Sequence, residues 1–346
     1  MFDNISKEYI AQVIKELMAI DSPSGFCDKA IAYVGEIAKG LGHDFKVTNK
    51  GCGVITVKGS ESGKRVGLAA HTDTLGLMVR SISSDGTLNF TKIGGPQLPT
   101  LDSEYCRIYT RDGRVYTGTI LSKSPSTHVH PDAATRVRNE ENMYIRLDEE
   151  VRSKDDVIKL GICVGDIVAY EPKTVITPNG FVKSRFLDDK ASVACILTAL
   201  KTMKDCGIMP KYDTEIYITV FEEVGHGGSP MGEGLDEMLA VDMGCIGLDL
   251  SCTEYDVSIC AKDGGGPYNY EMVSRLKSYA DANKLSYAMD IYPFYGSDVG
   301  AMLRAGHDVK GALIGPGIHA SHGMERTHIK ALIETVKLIL LYLEAK

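Results

Sequence analysis

Arg65-Val66-Gly67-Leu68-Ala69-Ala70-His71 is an apolar run that ends in a residue with chemistry. It reads as a buried parallel strand that delivers His71 to its carboxyl edge. Open α/β sheets bind their ligands beyond such edges. The sequence around the run supports the same architecture. Ile10, Val13, Ile14 and Leu17, then Ile31, Val34, Ile37, Ala38 and Leu41, follow helical spacing. The turn between them, Asp21-Ser22-Pro23-Ser24-Gly25, is rich in breakers. Short β patterns follow at 45–48 and 54–57. Beyond residue 190 helices are expected over 191–203, 268–283 and 327–344, and strands over 215–221, 244–250 and 309–314. The expected fold is α/β, with a mixed, mostly parallel sheet flanked by helices.

Between 77 and 174 the texture changes. Turn signals such as Ser84-Asp85-Gly86 and Arg111-Asp112-Gly113 separate short β patterns at 105–110 and 115–121, and no long helical period appears. An inserted small β-barrel domain over 77–174 is expected, interrupting an α/β domain made of 1–76 and 175–346. Residues 124–136 are its least regular part and read as a mobile loop.

Composition narrows the function. Apolar residues at 44% and charged residues at 24% belong to a well-cored chain, not a disordered one. The net charge of −8 and the lack of a Lys/Arg cluster argue against nucleic acid and acidic membranes as partners. The apolar run from Leu338 to Leu343 falls far short of the ~20 residues a membrane helix needs. Met1-Phe2-Asp3-Asn4 lacks a basic start and an apolar core, so no signal peptide is expected. Nine scattered cysteines without a C-x-x-C pair suggest reduced thiols packed in a cytoplasmic protein.

Five polar clusters fall where strands end or loops begin: His71-Thr72-Asp73, Asp188-Asp189-Lys190, Glu222-Glu223, Asp249 and the segment from His319 to His328. In His71-x-Asp73 both side chains point the same way on a strand, so the carboxylate can orient the imidazole of a metal ligand. Glu222-Glu223 follows the β-prone run Tyr217-Ile218-Thr219-Val220-Phe221. Neighbours on a strand project oppositely, which gives the two glutamates separate roles. Oxygen and imidazole donors without thiolate suit zinc, cobalt or manganese.

The ordered motifs Ala70-His71-Thr72-Asp73-Thr74-Leu75-Gly76, Phe186-Leu187-Asp188-Asp189-Lys190, Glu222-Glu223-Val224-Gly225, Leu248-Asp249 and Ser321-His322 resemble peptidase family M42. These are the tetrahedral, glutamyl and deblocking aminopeptidases, some of them named endoglucanases. The resemblance implies a di-zinc-exopeptidase-like fold and a metal-dependent aminopeptidase that trims short peptides through a metal-bridging hydroxide. By the same resemblance His71 binds the first metal with Asp73 as its orienter, and Asp188 bridges two divalent ions, zinc or cobalt with manganese a further option. Asp249 completes the first set, Glu223 and His322 hold the second ion, and Glu222 is the general base. Asp189 is the alternative bridge and His319 the alternative to His322. The resemblance further implies that the β insertion mediates dimer contacts and that six dimers build a tetrahedral dodecamer.

The chain departs from the family pattern at three places. His226-Gly227 replaces the usual Leu-Arg, the last histidine motif is rearranged, and His128 and His130 replace a Pro-Pro-His motif and receive no role. Two other classes remain to be weighed. A glycoside hydrolase needs paired carboxylates across a sugar cleft and usually aromatic platforms, and the chain has no Trp. A non-catalytic homologue would have little need of a full set of ligands and a base.

Overall fold

The computed structural model describes residues 1–345. The chain divides into two compact units, Met1–Asp73 with Lys173–Lys346, and Thr74–Pro172. In the first unit the strands lie in the order Asp44–Val47, Gly53–Val57, Tyr212–Thr219, Glu61–His71, Glu237–Val241, Lys310–Ile318, Val257–Asp263 and Gly266–Pro267. The four from Tyr212–Thr219 to Lys310–Ile318 run parallel, and their outer neighbours pair with them antiparallel. The mixed, mostly parallel sheet expected from the sequence is what forms. Its central strand Glu61–His71 is buried from Val66 onward, so the apolar run has helices or sheet on every side.

Helix Leu187–Cys206 packs on three of the parallel strands and on helices Lys7–Met18, Asp28–Leu41 and Ile329–Tyr342. It is buried on every side from Leu187 to Leu200, and only its last turns reach solvent. Its buried Thr198 and Thr202 hydroxyls donate to the carbonyls of Ala194 and Thr198, which satisfies them without solvent. A separate three-stranded sheet joins Val175–Ile176, Phe181–Ser184 and Glu325–His328, with Ser184 opposite Glu325.

Four local expectations need correction. The strand expected over 244–250 is only Gly244–Cys245, and the true central strand is Glu237–Val241. Both Met238-Leu239-Ala240-Val241 and the later run to Leu248 are apolar, but only the first pairs on both edges. Leu248 is 96% exposed. The strand expected to reach residue 221 ends at Thr219, and Glu222–Val224 forms a 3-10 turn closed by Gly225 at φ 84°. Hence the two glutamates do not lie on opposite strand faces. His328 is the N-cap of Ile329–Tyr342 and not part of its first turn. Its Nδ1 accepts from the Lys330 N–H, and its other ring nitrogen meets the Asn179 carbonyl at 2.8 Å. Finally, residues 124–136 lack regular structure but are tied down: Asp132 accepts from the Ser124 hydroxyl and from Arg136.

In the second unit six strands close a barrel in the order Gly76–Ile82, Leu88–Ile93, Met143–Leu147, Val115–Ser122, Glu104–Tyr109 and Ile167–Tyr170. Leu77, Val79, Leu88, Phe90, Ile108, Ile120, Ile145 and Val168 are buried in this unit. Closure leaves no unpaired sheet edge. Among the described residues, no helix is long and apolar enough to cross a membrane.

Candidate metal centre

His71 ends the central strand and is 1% exposed. Its Nδ1 lies 2.9 Å from the backbone carbonyl of Asp73, which can only accept. Nδ1 therefore carries a proton, and Nε2 is the nitrogen that faces inward. There Nε2 meets Asp188 Oδ1 at 3.3 Å and Glu222 Oε2 at 3.7 Å. The other oxygen of Asp188, Oδ2, lies 3.5 Å from His322 Nε2, which is also 3.5 Å from Glu223 Oε2. One carboxylate thus stands between two imidazoles.

Asp188 reaches this place because its backbone departs from helical geometry at φ −74°, ψ 100°, ahead of the regular part of its helix. Its N–H donates to Glu325 Oε2 at 3.1 Å. Asp189 is fully buried, and its Oδ2 accepts from the His71 N–H at 3.2 Å. One of its oxygens lies within 4.8 Å of ligand atoms of both His71 and Asp242. Asp242 follows strand Glu237–Val241 directly and is 4% exposed.

The Asp73 carboxylate does more than sit near His71, from which its Oδ1 is 3.5 Å away. It accepts from the Ser24 hydroxyl at 2.5 Å and from the N–H groups of Glu222 and Glu223 at 3.2 and 3.3 Å. It pins the 3-10 turn that carries both glutamates.

The cluster is crowded with negative charge. Burial, reinforced by Asp188, pushes Asp242 up to about 7. Burial likewise raises Glu223, again with Asp188, and raises Asp189, with Asp242. Burial would raise Asp188 too, but His322 and His71 hold it well below the usual carboxylate range. Burial would strip the proton from His71, yet Asp188 and Asp73 hold it there. A site that raises proton affinity at imidazole and carboxylates together is one that favours bound positive charge. His71 Nε2, Glu223 Oε1 and Asp189 Oδ1 are buried with no hydrogen-bond partner among the described residues. Two sets of donor atoms, on His71, Asp188 and Glu223 and on His71, Asp189 and Asp242, lie within 4.8 Å of one another. Unpaired buried donors converging from four segments fit divalent cations.

The structure thus brings together His71, Asp73, Asp188, Glu222, Glu223 and His322 from the sequence-based set. It does not bring Asp249, which lies exposed in the loop after Gly244–Cys245 at φ 61°. Asp242 occupies the place expected of it. The missed signal was present: Met238-Leu239-Ala240-Val241-Asp242 repeats the pattern of an apolar run ending in a ligand type, as at His71. His319 is exposed and pairs with Arg326 through its backbone, away from the cluster. His226 is exposed too, stacked on Phe221 with ring centroids 4.9 Å apart. Tyr295, in the Tyr-Gly-Ser-Asp stretch before the helix Asp298–Arg304, places its hydroxyl 3.2 Å from the Met243 carbonyl beside Asp242. The cysteines near the ligands in sequence are all free, and burial pushes the Cys245 thiol up to about 12. Such a thiol stays protonated near neutral pH.

The sequence profile of the M42 glutamyl aminopeptidase family matches residues 51–338. YhfE of Bacillus subtilis (strain 168), provisionally named an aminopeptidase, is 44% identical over 335 residues, covering 96% of this chain and 97% of its own. Aminopeptidase APDkam598 from the archaeon Desulfurococcus kamchatkensis is 27% identical with a TM-score of 0.86, covering 97% of this chain and 94% of that one. The TET1 peptidase of Pyrococcus horikoshii, described as able to assemble into a tetrahedron or a large octahedral shell, has a TM-score of 0.83. It covers 95% of this chain and 98% of its own at 22% identity, a likeness that speaks of fold alone.

Proposed function

Because the chain belongs to the M42 glutamyl aminopeptidase family, we propose that this cluster is the centre of a two-cation aminopeptidase acting on short peptides. The observation that carries the reading is Asp188, whose two oxygens face His71 and His322 separately. In this reading His71, Asp188 and Asp242 hold one divalent cation, and Asp188, Glu223 and His322 hold the other. Zinc, cobalt and manganese all suit such donors. Two such cations would polarise the scissile carbonyl and acidify the attacking water.

The chain's own residues supply the rest. Glu222 is not needed as a ligand, so its carboxylate is free to take the water's proton and return it to the leaving amine. Burial raises its proton affinity; His71 opposes this, and the charges of Asp242, Asp298 and Glu223 add to it. That suits a group that must keep a proton between two steps. Asp73 fixes the Glu222 backbone and so the direction of the base. Asp189 holds the His71 main chain. A paired-carboxylate glycosidase would leave His71 and His322 without a task, and no observation favours it.

The barrel unit is proposed to make dimer contacts, with dimers assembling as a tetrahedral dodecamer, a reading supported by the family and by the fold shared with the TET1 peptidase. Nine unpaired cysteines suit a reducing cytoplasm. The test is a panel of aminoacyl-p-nitroanilides assayed before and after chelation, with cobalt, zinc and manganese restored singly. Loss on chelation and recovery with metal is expected, as is a collapse of turnover in Glu222→Gln. Hydrolysis indifferent to both treatments would overturn the mechanism.

A further inference from the structure

Glu325 touches none of the proposed ligand side chains by hydrogen bond, yet its carboxylate grips the main chain of two of them. Oε2 accepts from the Asp188 N–H at 3.1 Å, and Oε1 accepts from the His322 N–H at 3.0 Å. The Glu325 side chain is 2% exposed, the bond to Asp188 is buried and that to His322 partly buried. Both N–H groups lie where the backbone is irregular. Asp188 stands outside helical geometry, two residues after Phe186 at φ 69°. His322 is itself left-handed at φ 63°, as is Ala320 at 59°. Secondary structure gives neither N–H a partner, and a buried donor must find one.

Glu325 is itself rigidly placed. It opens the strand Glu325–His328 and stands opposite Ser184 in the pairing with Phe181–Ser184, the strand that leads into Asp188. One carboxylate therefore ties together two loops 134 residues apart, each carrying a side chain of the second proposed cation. Held this way, Asp188 Oδ2 and His322 Nε2 face each other at 3.5 Å.

We infer that Glu325 is the positioning residue for the second cation: it sets the separation of Asp188 and His322 and thereby the affinity of that site for its ion. This rests on the two-cation reading. His71 and Asp242 come from other strands and have no hydrogen bond to Glu325, so the first site, which depends on Glu325 through Asp188 alone, is disturbed less than the second when it is changed.

Wild type, Glu325→Gln and Glu325→Asp are compared by cobalt titration of the chelated protein, followed through visible absorption and by metal analysis after desalting. Glutamine keeps the shape but can accept from only one of the two N–H groups, whereas aspartate keeps two acceptors on a shorter arm. The second cobalt is expected to bind about 10–100-fold more weakly in Glu325→Gln, with the first weakened clearly less. Glu325→Asp is expected to recover part of that loss, which a role in folding alone would not predict. Equal weakening of both sites, or two sites of wild-type affinity in Glu325→Gln, would overturn the inference. Should Glu325→Gln not fold, Glu325→Asp decides alone, by selective or unselective weakening. A wild type that takes up fewer than two cobalt ions would instead refute the two-cation reading itself.

Discussion

Asp242 is the residue on which the reading of the site turns, and its environment makes a quantitative demand on stability. Burial, then the nearby Asp188, pushes its carboxyl from 3.8 up to about 7. A carboxyl whose folded pKa is raised holds its proton more tightly in the native state than in the unfolded chain. Between about pH 4 and pH 7 the unfolded chain has released that proton while the native state keeps it. Stability must then fall as pH rises through this window, and level off above it. At ~1.36 kcal/mol per pH unit the loss from this one group is about 4 kcal/mol. With roughly 2.1 cal/mol/K of unfolding entropy per residue, this is worth about 6 °C in Tm for a chain of this size.

The assay is thermal unfolding of chelated protein at steps from pH 4 to pH 8. Asp242→Asn cannot ionise, so its Tm should fall less steeply with pH than wild type by about that amount. It should melt higher than wild type at pH 8 without metal, yet gain less from added zinc or cobalt and lose peptide hydrolysis. Asp249→Asn, altered only in an exposed loop, should track wild type in all three measurements. An Asp242→Asn variant with the wild-type slope and wild-type metal content would refute the reasoning. So would an Asp249→Asn variant that took over its effects.

Three further outcomes are expected. Lys190, 1% exposed, donates to the carbonyls of Leu17 and Ile20 at 3.0 and 2.7 Å, at the end of helix Lys7–Met18. Lys190→Met takes the ammonium from both carbonyls, of which Leu17 keeps the Ile20 N–H, and should cost about 1–3 kcal/mol in denaturant unfolding of metal-loaded protein; an unchanged midpoint would sink this. A Cβ at Gly315 would lie 1.7 Å from the carbonyl oxygen of Asp242. Gly315→Ala should therefore push Asp242 aside, costing about 3 kcal/mol and weakening metal uptake, and metal binding at wild-type strength would contradict it. His322→Ala should lose one cation per subunit while His319→Ala keeps both, as metal analysis would show; the opposite pattern would exchange their roles.

Much of the fold is legible because the chain marks it locally. The run ending at His71 has no polar residue from Val66 to Ala70, and a strand of that kind is stable only inside a covered sheet. Closely spaced turn signals likewise announce the barrel. The site is legible wherever a ligand type stands directly against such a run. Asp242 stood in that position too, but Cys245-Ile246-Gly247-Leu248-Asp249 offered a second run ending in an acid. Only the pairing of Glu237–Val241 with both neighbours decides between them, and pairing is not local. The 3-10 turn at Glu222 was hidden for a related reason. The β-prone run before it gives no sign of where it stops, and Asp73, 149 residues away, helps to fix the turn.

What no local pattern could disclose is the use of acids to hold acids. Asp73 grips the main chain of Glu222 and Glu223, and Glu325 grips that of Asp188 and His322. Two neutral acceptors in place of each carboxylate would satisfy those N–H groups as well. A carboxylate in that place adds negative charge to a pocket that already holds Asp188, Asp189, Glu223 and Asp242, and each addition raises the cost of folding without a counter-ion. The same additions deepen the potential that draws a divalent cation in. Under the proposed two-cation reading, rigid placement of the ligands and affinity for the metal come from one set of charges, at the expense of the metal-free fold. If so, the stabilisation on cation binding must grow as pH rises and protons leave the cluster, because cation and proton compete for the same oxygens. A gain in Tm on adding cobalt that is no larger at pH 8 than at pH 5 would show that the bracing acids do not contribute in this way.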